Sequence, residues 1–170
     1  MKKTFLCIML AACSLTGWAQ QQDYTLPASA VQAPEMEFVM QLRVNIGAPV
    51  WVGDTPAGKR QSIPITGGTF EGPRLRGTVL AGGADYQLIQ KDKNNLEAIY
   101  NIRTDDGVNI HVRNIGVIGQ DEGRPYFFTA PHFEAPQDSP YAWLNLPIYV
   151  CRPGNEPIDG GIVLNVWKVR

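Results

Sequence analysis

The chain has 170 residues, 44% of them hydrophobic and 18% charged, with 15 basic residues against 16 acidic ones. That length supports one domain with a real core. The even charge, with no basic run and no Lys/Arg cluster interleaved with aromatics, excludes a nucleic-acid surface.

Residues 1–19 read as an export signal. Lys2 and Lys3 precede an uncharged apolar stretch from Phe5 to Leu15, and Gly17-Trp18-Ala19 offers small residues to a signal peptidase, with cleavage before Gln20. The stretch is shorter than the ~20 apolar residues that span a bilayer. A second route competes: Leu10-Ala11-Ala12-Cys13 resembles a lipobox, whose cysteine is acylated and tethers the domain to a membrane face. The expected location is periplasmic or secreted, or alternatively a membrane-tethered lipoprotein. Beyond residue 19, 13 basic and 16 acidic residues give a net charge of −3. Cys7 is removed by either route and Cys13 is removed or lipidated, so Cys151 stands alone and no internal disulfide forms. It follows the apolar run Ile148-Tyr149-Val150 and reads as a buried structural thiol rather than a nucleophile.

Residues 20–34 are polar and aperiodic, a flexible linker ahead of a β-barrel domain at 35–170. From Met36 to Ile46 apolar side chains alternate with Glu37, Gln41, Arg43 and Asn45, the period of a strand with one buried face (Met36, Phe38, Met40, Leu42, Val44, Ile46). Gly47-Ala48-Pro49 breaks it. Further strands are read at 62–65, ended by Gly67-Gly68, then at 75–80, 85–90, 96–104 and 108–118. Between the last two, Asp106-Gly107 signals a two-residue hairpin turn of type I′. Strands at 126–134, 146–151 and 162–169 complete the set, with at most one helical turn near 137–143. The fold class is mostly β. The final strand is placed to pair with the first and close an antiparallel barrel of roughly 8–10 strands.

There is no dinucleotide-binding fingerprint, Walker sequence, nucleophile elbow, H-E-x-x-H or C-x-x-C. Gly67 to Gly72 lacks the Lys-Ser/Thr end of a phosphate loop and reads as a turn with a bulge. His111 and His132 lie on different strands, and neither a metal nor another cofactor is expected.

Several stretches carry a resemblance. Ile65-Thr66-Gly67-Gly68-Thr69-Phe70-Glu71-Gly72-Pro73, Gly82-Gly83-Ala84-Asp85-Tyr86 and Arg103-Thr104-Asp105-Asp106-Gly107 are followed by Tyr126 to Glu134 and Tyr141-Ala142-Trp143-Leu144-Asn145. In this order they resemble uncharacterised protein family 0311, also catalogued as domain of unknown function 3237, from about Glu37 to Arg170. The resemblance implies a compact β-barrel with an interior pocket and assigns no reaction.

The candidate site takes the polar or aromatic members of the segments that match the family, several of them on runs otherwise apolar enough to be buried, where polar groups must be hydrogen-bonded. Asp85 and Glu134 are the candidate general acid or base, since a carboxylate in an apolar pocket has its pKa raised toward neutrality; the alternative is that Asp85 caps a turn and Glu134 is solvated. Arg103, Asn114, Trp143 and Asn145 are the candidate ligand contacts, all six converging on one interior pocket. The two-residue turn would put Ile99, Asn101, Arg103, Ile110, Val112 and Asn114 on one face of the hairpin. Three functions stay open: binding of a small, partly apolar or aromatic ligand, a cofactor-independent isomerase, cyclase or lyase, and a structural or interaction module. The expected partner is a small molecule, with no nucleic acid and no spanning membrane segment.

Overall fold

The computed structural model describes residues 25–170. The expected export signal, its cleavage point and Cys13 lie outside them. Residues 34–170 form one compact unit, and residues 25–33, with a short 3₁₀ turn at Ala28–Ala30, belong to another. Among the described residues no helix is long and apolar enough to cross a membrane.

The unit is built from β1 (Met36–Ile46), β2 (Val50–Thr55), β3 (Gly58–Glu71), β4 (Arg76–Val79), β5 (Gly83–Ile89), β6 (Asn94–Thr104), β7 (Asn109–Asp121), β8 (Arg124–Glu134), β9 (Tyr149–Pro153) and β10 (Gly161–Val169). Neighbours run β1-β10-β9-β8-β7-β6, then through β4 and β5 to β3, which returns to β1. All these pairings are antiparallel, and the sheet closes on itself. β4 and β5 occupy successive parts of one stave between β3 and β6, and β1 and β2 do the same on the other edge of β3. The result is a closed barrel of eight staves. Closure removes most unpaired edges, and the pairing of β10 with β1 supplies it.

Three local readings are corrected by the backbone. First, β3 does not end at Gly67-Gly68. Both glycines take positive φ, 142° and 138°, and the strand bends there and exchanges its partners β2 and β5 for β1 and β4. Such a kink is how a long strand turns a barrel corner. Second, β1 carries a bulge between Phe38 and Met40. Val39 and Met40 both point inward, leaving Met36 and Phe38 47% and 40% exposed. Third, the β6–β7 hairpin has a three-residue loop. The Thr104 N–H donates to the Val108 carbonyl and the Gly107 N–H to the Thr104 carbonyl, with Gly107 at φ 92°. Asp106 does not share the positive φ that a type I′ turn needs. Ile102 therefore faces Ile110, and Ala98 faces Asn114.

One end of the barrel is filled. Met40, Leu42, Ile102, Ile110, Val112, Phe133 and Val166 are sealed from solvent, each worth about 1.5–3 kcal/mol of apolar burial for a large side chain. A 3₁₀ turn at Ala142–Asn145 inserts Leu144 beneath them. The Tyr149 hydroxyl donates to the Leu144 carbonyl at 3.0 Å, and its ring packs edge-on to Phe133. Cys151 is fully buried opposite Thr129, and burial pushes its thiol up to about 11. It stays a protonated, inert thiol at neutral pH.

Candidate functional site: a polar wall in the open half of the barrel

Two rows of inward side chains wall the other half. In the first, Ile63, Asp85, Ala98 and Asn114 are successive partners across β3, β5, β6 and β7. In the second, Gln61, Gln87, Leu96, Gly116 and Thr129 follow one another across β3 to β8. The rows lie two residues apart along each strand, so both face the interior. They border a cavity of about 160 Å³ whose remaining wall is largely apolar, with Val44, Ile65 and Leu164 among its contacts. Tyr100 separates it from the filled end, and Ile118, 36% exposed, stands at its rim.

Two small residues shape the wall. Ala98 sits between Asp85 and Asn114, and Gly116 sits between Leu96 and Thr129. A Cβ at Gly116 would lie 2.2 Å from Thr129 Cγ2 and 2.5 Å from the Phe128 carbonyl oxygen. Thr129 packs over the bare backbone, which no other residue type allows.

The polar groups form a directed relay. Gln61 Nε2 and Asn94 Nδ2 both donate to Gln87 Oε1, at 2.6 and 2.9 Å. That fixes the Gln87 amide, whose Nε2 donates to Asp85 Oδ2 at 2.6 Å. Asp85 Oδ1, Asn114 Oδ1 and Thr129 Oγ1 are buried without hydrogen-bond partners. Burial raises the Asp85 carboxyl above its ordinary value, with the Gln87 hydrogen bond and the Glu97 backbone pulling the other way. Burial also raises the Tyr100 phenol, which remains a neutral hydroxyl at neutral pH. The site can therefore accept hydrogen bonds, and it can hold or release one proton at Asp85.

The structure brings two of the six expected site residues to this cavity, Asp85 and Asn114. Arg103 points outward from β6 and its Nε donates to Asn109 Oδ1 at 2.8 Å. The outward face follows from the three-residue loop, which places Ala98, Tyr100 and Ile102 inside. Glu134 is on the outer face of β8, 3.8 Å from His132, because Thr129 and Phe133 take the inner face. Trp143 lies at the filled end with the Arg74 guanidinium 4.1 Å above its ring. The Asn145 side chain clamps Ala135, accepting from its N–H at 2.7 Å and donating to its carbonyl at 3.0 Å. Those four do not reach the cavity. Gln61, Gln87, Asn94, Tyr100 and Thr129 were not singled out by the sequence. Gln87 had one signal: two residues beyond Asp85, it shares its strand face.

This geometry defines a class: a small closed antiparallel barrel with an interior cavity and one half-buried carboxylate on its wall. The chain belongs to the family described as "Protein of unknown function (DUF3237)", whose model matches residues 34–169. A UPF0311 protein of Clostridium acetobutylicum is 33% identical over 149 residues, covering 78% of this chain and 92% of that protein. Among solved structures, a conserved protein of unknown function from Rhodopseudomonas palustris superposes with a TM-score of 0.72 at 31% identity, covering 82% of this chain and 99% of that chain. A β-barrel-like protein from Acinetobacter baumannii gives 0.72 at 28% identity, covering 86% and 99%.

Proposed function

We propose that the barrel binds a small, ring-sized, largely apolar ligand in its interior cavity and does so outside the cytoplasm. One observation carries the binding reading: Asp85, Asn114 and Thr129, each with a buried oxygen that lacks a hydrogen-bond partner, line one cavity. An unpaired buried polar group costs about 1–3 kcal/mol, which a ligand donor would recover. The volume supports a single ring, since a dry cavity of about 150 Å³ accommodates benzene. Titration with benzyl alcohol, followed by backbone amide NMR, tests it. Shifts are expected at Leu96, Ala98, Tyr100 and Asn114; shifts confined to the outer surface contradict it.

A second reading is favoured by the raised carboxyl of Asp85. A cofactor-independent isomerase, cyclase or lyase needs a proton shuttle of this kind, in a site that excludes water. The extracytoplasmic reading is supported by Lys2, Lys3 and the apolar stretch that follows them. Intact mass of exported protein should place the N-terminus at Gln20; a diacylated Cys13 would establish the tethered form instead.

A further inference from the structure

The polar end of the ligand has a definite chemistry, and this inference rests on the cavity-binding reading above. Among the described residues lining the cavity there is no Lys, Arg or His, and Asp85 is the one carboxylate. An anionic ligand would find no positive partner there and would meet a like charge. The three unpartnered oxygens are all able to accept: a carboxylate oxygen, an amide oxygen and a hydroxyl. Asn114 and Thr129 are 5% and 7% exposed, so neither is satisfied by bulk water.

The relay behind Asp85 points the same way. Two donors converge on Gln87 Oε1, so Gln87 turns its N–H toward Asp85 Oδ2. A second-layer donor of this kind supports the carboxylate as an acceptor toward whatever meets Oδ1. The rings of Tyr100 and Phe127 border the same space and supply polarisable surface that attracts a cation.

We infer that the cavity takes a primary amine as its ammonium ion, carried on a small apolar or aromatic body, with Asp85, Asn114 and Thr129 accepting its N–H groups. A primary ammonium has three donors and no acceptor, and the ionised Asp85 carboxylate, acceptor only, is its complement on the cavity wall. The ion pair with Asp85 is desolvated and would be costly were its remaining hydrogens left unmade.

The test is calorimetric titration near pH 7 of the intact barrel and of Asp85→Asn with benzylamine, benzyl alcohol and benzoate. Benzylamine should bind the parent at least about tenfold more tightly than benzyl alcohol, as expected for a charge-assisted contact. Asp85→Asn should lose that advantage, binding benzylamine no more tightly than benzyl alcohol. Benzoate should bind worst. Benzyl alcohol or benzoate matching benzylamine would overturn the ammonium assignment and leave the cavity reading standing. So would an advantage that survives in Asp85→Asn. Failure of all three compounds to bind would overturn both.

Discussion

Asp85 and Asn114 flank Ala98 in one row of the barrel wall, each directly opposite it on a neighbouring strand. Two strand spacings put their Cα atoms about 10 Å apart, with only a methyl group between them. Larger residues flank the row on either side, Leu96 and Tyr100 on β6. The gap is thus a property of one small residue in a closed sheet, and it sets two polar side chains on the same cavity.

The Asp85 carboxyl sets the sign of a pH dependence. Its folded pKa lies above the ordinary 3.8. Over the window from there up to the folded value, the native protein holds a proton that the unfolded chain has released. Stability from this group is therefore full below the window and falls as pH rises through it. Asp85→Asn removes the fall while keeping an acceptor for Gln87. Thermal melts should show the variant more stable than the parent near pH 7 and equal to it near pH 3. A variant less stable near pH 7 would contradict the assignment.

Gly116 is required by contact rather than by backbone conformation. Gly116→Ala drives a methyl group into Thr129 and the Phe128 carbonyl. Denaturant unfolding should show a loss of about 1–3 kcal/mol, the range for overpacking. An unchanged midpoint would mean that Thr129 does not pack over the strand.

Residues at the filled end and on the outer face should separate from those of the cavity. Asn145→Ala leaves the Ala135 N–H and carbonyl without their partners and should cost about 1–3 kcal/mol in denaturant unfolding. Arg103→Ala and Glu134→Ala remove exposed groups and should stay within about 0.5 kcal/mol of the parent. None of the three should move the affinity for benzyl alcohol. Loss of binding in Glu134→Ala would return that carboxylate to the site.

The barrel was legible because its grammar is local. The alternation over Met36–Ile46 and the Asp-Gly signal between the runs at 96–104 and 108–118 are read from neighbouring residues alone. Faces were harder, since a hairpin loop of three residues in place of two shifts the register by one and turns one strand over. That single residue put Arg103 on the same face as Asn114 in the sequence reading, whereas Tyr100 shares the interior with Asn114 in the fold. β2 was missed because Pro49 ends the first run and Val50, Trp51 and Val52 are all exposed, leaving no alternation to see. The Tyr141 to Asn145 segment is rich in groups that suit a ligand, yet it serves as the plug. Nothing in its composition distinguishes an aromatic wall from a capped end. Asp85 was found as the carboxylate that follows Gly82-Gly83 in a segment carrying the family resemblance, and Asn114 as a polar group in the run at 108–118.

The most direct measurement is benzyl alcohol affinity in Ala98→Leu, by calorimetry. The added carbons would fill the space between Asp85 and Asn114 while the outer surface and the filled end stay as they are. The account predicts a melting temperature within about 5 °C of the parent and binding weakened by at least about tenfold. A folded Ala98→Leu variant that binds benzyl alcohol as tightly as the parent would contradict the interior cavity as the binding site.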